Sequence, residues 1–211
     1  METKFTEQES LAIISKMIEQ ARNNLQKGGG NTMIFVGLLV AFCAILNAVL
    51  ILIFRKTGIN SDHSMWVWCL TILGMYVYYL LEKKSGRTFM VKTHIDFVIG
   101  STWRGFGYAY FVYLAVIFGI GLGKQFSQVF FLINPGILIL IGLAEFVTAK
   151  ACRFKPYLYG TVIMWVGALC CVGALWFEEP VIIQFFILAF CMITGFAIPG
   201  YQLNKLAEKN V

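Results

Sequence analysis

Four polar residues lie in or beside otherwise apolar stretches of this 211-residue chain, and their side chains could do chemistry inside a membrane. Arg104, Glu145, Asn134 and Asp96 offer a guanidinium, two carboxyl groups and an amide, which could form an ion pair, bind an ion or hydrogen-bond a small substrate. Ionisable side chains within a membrane segment are costly, and for that reason they are functional candidates. These four residues are therefore the candidate intramembrane polar site.

The spacing of Arg104 and Glu145 predicts that they lie at the same depth. Their midpoint falls at residues 124–125, in the turn between the third and fourth apolar stretches. Two antiparallel helices joined there would bring the side chains together, so we expect an ion pair or shared polar cluster near the cytoplasmic end. Asp96 is less favoured as a partner of Arg104, because at about 100° per residue it lies roughly 80° round the same helix. A pair that only fixes helix register is the alternative interpretation.

The fourth apolar stretch contains a second polar irregularity, Asn134-Pro135-Gly136. A proline inside a membrane helix frees backbone carbonyls, which must find partners or line a cavity. The sequence therefore predicts an interruption of this helix, and an ordinary kink is the alternative.

Several kinds of catalytic site are disfavoured by the positions of the titratable residues. The two histidines, His63 and His94, lie on opposite predicted sides of the membrane, so a zinc site with three or four ligands is not expected. The two aspartates, Asp62 and Asp96, are separated in the same way, which argues against an aspartyl protease. The six cysteines show no CxxC spacing. We predict no catalytic residue, metal or cofactor, and a protein that is not an enzyme.

The elements that position these residues are six apolar stretches. Hydrophobic residues make up 59% of the chain and charged residues 13%, about half the charged share of soluble domains. We predict an all-α fold with six transmembrane helices at about 33–54, 65–81, a third that begins between 97 and 106 and ends near 122, 126–148, 157–177 and 181–198, the last ended by Pro199-Gly200. The predicted domains are a cytoplasmic amphipathic helix with a glycine linker (1–32), the bundle (33–200) and a cytoplasmic tail (201–211).

Two sequence patterns are candidates for helix contacts. Leu11, Ile14, Ile18 and Leu25 have the a/d spacing of a helix that packs on the membrane surface, under the bundle or on a second copy. In the third stretch, Gly119-xxx-Gly123 is a small-residue pattern that allows close approach of helices. Either pattern could support a homodimer or contact with a membrane-protein partner.

The basic residues predict the orientation. Thirteen of the 17 lysines and arginines fall on one side of the six stretches, three fall on the other, and Arg104 lies inside. Cytoplasmic loops carry such an excess, so both termini are predicted to be cytoplasmic. The same rule accounts for the net charge of +6. No basic stripe with interleaved aromatics is present, and a nucleic-acid partner is not expected.

Four segments together carry a family resemblance. They are the opening Thr6-Glu-Gln-Glu-Ser-Leu through Asn24-Leu25, His94-Ile-Asp-Phe-Val-Ile-Gly with Trp103, Arg153-Phe-Lys-Pro-Tyr with Trp165, and Ile198-Pro-Gly-Tyr. The set resembles a group of small bacterial six-span proteins of unassigned function. The resemblance implies a location in the bacterial inner membrane and implies no activity.

The function expected from these observations is that of a non-enzymatic integral membrane protein, a regulator or scaffold that acts through protein contacts. The alternative is a small transporter or channel that uses Arg104, Glu145 and Asn134. A water-accessible cavity joining Asn134 to Glu145 would favour transport, whereas a dry bundle would favour the scaffold.

Overall fold

The chain forms a bundle of long helices. The computed structural model describes Ser15 and residues 29–84, 94–123 and 126–209. Within those ranges all regular structure is helical, and six helices are long and apolar enough to cross a membrane. The predicted all-α fold with six membrane spans is therefore confirmed. The predicted amphipathic helix with Leu11, Ile14, Ile18 and Leu25 lies outside the described residues.

The spans begin and end near the predicted positions, and several contain a short 3₁₀ segment. Span 1 is Gly29–Thr57, span 2 joins Ser61–Trp68 (3₁₀) to Cys69–Lys84, and span 3 is His94–Gly123. Span 4 joins Ser127–Leu132 (3₁₀) to Ile133–Cys152, and span 5 joins Lys155–Gly173 to Ala174–Trp176 (3₁₀). Span 6 consists of the α-helix Pro180–Cys191, the π-helix Met192–Ala197 and the α-helix Ile198–Lys209.

The last span does not end at Pro199-Gly200, contrary to the prediction. A helical proline lacks an N–H and crowds the carbonyl four residues earlier, which here belongs to Gly195. The π-helix that precedes Pro199 widens the turn at this place, and the chain continues as a helix to Lys209. Residues 201–209 of the predicted tail therefore extend span 6.

Span 6 is the centre of the bundle. It packs against span 1 on one side and span 5 on the other, while span 4 packs on span 5. The four helices thus follow in the order 1, 6, 5, 4. Span 2 packs on the outside of span 1, and span 3 packs on the outside of span 4. Burial in the most apolar part of each helix agrees with this arrangement. The buried share of residues is 56% in span 6, 44% in span 4, 39% in spans 1 and 5, and 11% in spans 2 and 3. The molecule is thus a four-helix core with two peripheral helices.

Small residues bring span 1 close to span 6. Gly37, Ala41, Ala44 and Ala48 follow one another at spacings of four, three and four, and the three alanines are at most 2% exposed. A Cβ on Gly37 would lie 2.9 Å from the carbonyl oxygen of Met192. Small side chains at such a seam let two backbones approach without loss of packing.

The start of span 1 and the end of span 6 lie on the same side of the bundle. Asn204 Nδ2 donates a hydrogen bond of 2.6 Å to Asn31 Oδ1. At the opposite end, Arg55 pairs with Glu179, which joins the end of span 1 to the turn before span 6. An even number of crossings requires this arrangement.

Candidate functional site

Spans 3 and 4 are antiparallel neighbours, as the position of their turn predicts. Near the turn, the rings of Phe118 and Phe130 lie 5.4 Å apart. Further along, Tyr113 donates its hydroxyl proton to the carbonyl of Leu132 over 2.6 Å. Residues at equal distances from the turn therefore lie at similar depths, so the predicted common depth of Arg104 and Glu145 is consistent with these contacts.

Arg104 faces away from the core. Its side chain is exposed, and it donates to Gly100 O (3.1 Å) and Ser101 Oγ (3.3 Å), both on its own helix. The hydrogen bonds of the guanidinium therefore go to the preceding turn of span 3 and not to another span. Asp96 lies half-buried at the start of the same helix, close enough to Cys152 at the end of span 4 to interact with it electrostatically.

The predicted Arg104–Glu145 pair is wrong, because the two side chains lie on different faces. Gly136 marks the face of span 4 that meets span 3, since a Cβ there would overlap the Tyr113 ring. Glu145 follows Gly136 by nine residues, which at about 100° per residue places it roughly 180° round the helix. It therefore points towards spans 5 and 6.

Glu145 is enclosed by two glycines. Its side chain is fully buried, and a Cβ on Gly160 of span 5 would lie 3.0 and 3.1 Å from its two carboxyl oxygens. The same Cβ would overlap the carbonyl oxygen of Gly195, which belongs to the π-helix of span 6. Neither carboxyl oxygen of Glu145 has a hydrogen-bond partner among the described residues.

The backbone around Glu145 is irregular for a definite reason. Gly195 is four residues before Pro199, so the usual α-helical donor to its carbonyl is missing. On span 5, the phenol of Tyr157 is buried and close enough to interact electrostatically with Glu145. A carboxyl group, a backbone carbonyl and a phenol are thus grouped at one depth in the bundle. Seven residues separate Glu145 from Cys152 at the end of span 4, which is about 10 Å at a rise of about 1.5 Å per residue.

Asn134 belongs to a second polar cluster, nearer the other end of span 4. Its Nδ2 donates to Gln184 Oε1 over 3.4 Å, and Gln184 Nε2 donates to Cys171 O over 2.9 Å. The three residues come from spans 4, 6 and 5, so the cluster ties three core helices together. Sequence reasoning missed Gln184, although a single glutamine in the run Val181-Ile-Ile-Gln-Phe-Phe-Ile was a visible signal.

Pro135 closely follows the point at which span 4 changes from a 3₁₀ helix to an α-helix, so the irregularity predicted here takes the form of a change of helix type. Pro135 lies in the first turn of the α-helix that starts at Ile133, where backbone N–H groups have no partner inside the helix. The preceding segment is 3₁₀, in which Pro135 would have donated to Leu132 O. The hydroxyl of Tyr113 donates a hydrogen bond to Leu132 O instead, so this carbonyl is satisfied.

The two polar clusters are separated by apolar side chains. Asn134 and Glu145 lie on nearly the same face of span 4, since 11 residues make about three turns. Leu138 (0% exposed) and Ile141 (5%) occupy that face between them. The structure therefore brings Asn134 and Glu145 to one face without joining them.

The glycines predicted to pack span 3, Gly119 and Gly123, do not contact another helix in the part of the chain that the structure describes. No described atom lies within 4 Å of a Cβ built on Gly119 or Gly123, and both residues are exposed. Gly121, between them, is buried and lies against the Phe130 ring. Gly119 and Gly123 are therefore not packed against another described helix of this chain, and their contact with a second copy or a partner stays a prediction.

Metal-binding side chains are not grouped in the part of the chain that the structure describes, where no three His, Cys, Asp or Glu residues could hold one ion. The six cysteines are free thiols. No protein-family model, curated protein or solved structure matches the chain. The resemblance to small bacterial six-span proteins therefore stays a prediction.

Proposed function

We propose that this chain is a non-enzymatic membrane protein, a regulator or scaffold, that acts by contact with the helix of another membrane protein through the outer face of span 3. The observation that carries the proposal is the position of its glycines. Five of them have no described atom within 4 Å of a Cβ: Gly100, Gly105, Gly107, Gly119 and Gly123. Packing against the described residues does not require glycine at these positions, and lipid alone does not require it either.

The face is suited to a helix. Gly105, Gly119 and Gly123 lie within about 40° of one another round the helix at about 100° per residue. Because glycines leave the backbone uncovered, a second helix could approach closely there, as small residues allow in membranes. The low burial of span 3 leaves this face open to such a partner.

We further propose that the protein lies in the bacterial inner membrane with both termini in the cytoplasm. The excess of basic residues on the side that holds both ends of the bundle supports this orientation. The resemblance noted above supports the inner membrane.

The test is site-specific photocrosslinking in native membranes. A photoreactive amino acid replaces Gly119, and the matched control replaces Leu169 of span 5, which is 72% exposed but lies on another helix. We expect a discrete crosslinked species at position 119 and none at 169, identified by mass spectrometry as a second copy or as another membrane protein. Equal crosslinking at both positions, or none at 119, would contradict the proposal. A Gly119→Leu, Gly123→Leu variant should lose the partner on gentle detergent extraction.

A small transporter or channel is the second candidate, and the burial of Glu145 within the core favours it. Its polar site would be Glu145 with Asn134. Arg104 is on another face, as described above. Leu138 and Ile141 would have to move for a substrate to pass between the two clusters. Ion flux into proteoliposomes that is lost in Glu145→Gln and kept in Glu178→Gln would support transport, and equal flux in both variants would exclude this site.

A further inference from the structure

We infer that Glu145, Gly160 and Gly195 form a binding site for one monovalent cation, either a proton or a sodium ion. The site does not depend on the partner contact proposed above. It requires binding alone and not transfer across the membrane, so it can be tested separately from both candidate functions.

The first step of the argument is the cost of a bare carboxylate. Glu145 is fully buried, and neither carboxyl oxygen has a hydrogen-bond partner among the described residues. An ionised group in such a place is strongly destabilising unless another charge or donors compensate it. One positive charge bound at the carboxyl group removes this cost.

The second step is that no basic side chain among the described residues pairs with Glu145. Arg104 lies at a similar depth but bonds its own helix on another face. The π-helix Met192–Ala197, which carries Gly195, contains no titratable residue. On span 5 the phenol of Tyr157 interacts with Glu145, and at the start of span 3 Asp96 interacts with Cys152. Within the described part of the chain, Tyr157 is thus a titratable neighbour that can supply oxygen to this site, and no basic side chain there bonds the carboxyl group of Glu145.

The third step is the backbone. Pro199 cannot donate a hydrogen bond to Gly195 O. That carbonyl oxygen and both carboxyl oxygens of Glu145 lie next to the Cα atom of Gly160, where a Cβ would contact all three. Carbonyls from irregular helix segments, together with a carboxylate, are the groups that bind sodium ions or protons within membrane proteins. A π-helix is also frequent at functional sites. The single carboxylate matches a cation of charge one.

The experiment uses dicyclohexylcarbodiimide, an apolar reagent that reacts with protonated carboxyl groups within membranes. The full-length protein in lipid nanodiscs is treated with it, and the adduct is located and its rate of formation measured by mass spectrometry. The matched variants are Glu145→Gln, which removes the carboxyl group, and Glu178→Gln, which removes an exposed one in the turn before span 6. We expect an adduct at Glu145 in the wild type and in Glu178→Gln, and none at residue 145 in Glu145→Gln.

Two conditions separate the cations. If the ligand is a proton, labelling of Glu145 falls as the pH rises, with a single-proton slope and no effect of sodium. If the ligand is a sodium ion, sodium chloride suppresses the labelling at constant pH relative to choline chloride, and raises the midpoint of thermal unfolding in the wild type but not in Glu145→Gln. Absence of an adduct at Glu145, or labelling that responds to neither pH nor sodium, overturns the proposal.

Discussion

At the scale of single residues, glycines decide where the core helices meet. Gly160 and Gly195 bring spans 5 and 6 together beside Glu145, while Gly37 does the same for spans 1 and 6. Glycines of span 3 such as Gly119 have no comparable neighbour among the described residues. Glycine substitutions therefore separate packing within the chain from other roles.

Gly160→Ala should destabilise the protein by about 1–3 kcal/mol, the usual cost of overpacking. The added Cβ would overlap Gly195 O and press on the Glu145 carboxyl oxygens. Gly173→Ala on the same helix is the matched control, since no described atom lies within 4 Å of its Cβ, and it should leave stability unchanged or slightly higher. Equilibrium unfolding in mixed micelles measures both, and equal stability of the two variants would contradict the packing described here.

Gln184→Leu should lower stability by about 0.6 kcal/mol and at most about 1.7 kcal/mol, the average and the maximum for hydrogen bonds between membrane helices. The change removes the bond to Cys171 O and the acceptor of Asn134. The double variant Asn134→Leu, Gln184→Leu should lose less than the sum of the single losses, because the two residues share one bond. Gln202→Leu, at an exposed position of span 6, is the control. Strict additivity would show that the two amides act independently.

At the scale of elements, spans 1 and 4 end in the same way. Each is followed by a residue with positive φ, Gly58 (74°) and Arg153 (54°). The next amide in each case donates back five residues, from Ile59 to Phe54 O and from Phe154 to Ala149 O. This is a common way to satisfy the last carbonyls of a helix, and it favours glycine at the left-handed position.

Gly58→Ala should therefore destabilise the protein by about 1–2 kcal/mol, the cost of a left-handed conformation for a residue with a Cβ. Arg153→Gly should have the opposite sign, a net gain of up to about 1 kcal/mol, because it removes that cost but adds the conformational entropy of glycine, about 0.5–1 kcal/mol. Space is not the cause at Gly58, since no described atom lies within 4 Å of its Cβ. Unfolding midpoints of the two variants provide the measurement, and shifts of the same sign would be inconsistent with this account.

At the scale of the whole molecule, the start of span 1 and the end of span 6 lie on the same side of the bundle, so a few reporter fusions can test the orientation. Asn31 and Asn204 meet at one end of the bundle, and Arg55 and Glu179 meet at the other. A reporter placed at either end of the bundle therefore gives the compartment of all loops on that side.

A green fluorescent protein fused after residue 211 should fluoresce in a bacterial host, because this fold matures in the cytoplasm, and alkaline phosphatase at the same place should be inactive. The same two reporters fused to a chain truncated after Gly58 should give the opposite result, a dark fluorescent protein and an active phosphatase, because that point follows a single crossing. An active phosphatase at residue 211 would reverse the proposed orientation.

The common depth expected for Arg104 and Glu145 needs only the length of two stretches and the position of their turn, and for that reason the sequence could predict it. Their relative faces could not be predicted in the same way. Span 4 is apolar on nearly every side, so its periodicity does not mark the face that meets span 3. The seam at Gly37, Ala41, Ala44 and Ala48 was visible as a spacing, but its partner on span 6 was not.

The sequence alone determined that the chain is helical, crosses six times and joins spans 3 and 4 as antiparallel neighbours, because apolar length and loop position are properties of the chain read in one dimension. Tertiary structure alone decided that Glu145 faces Gly160 and Gly195 while Arg104 faces outward. It also decided that span 6 passes through Pro199 as a helix. These outcomes depend on how each helix is rotated against its neighbours, which packing sets and hydrophobicity does not.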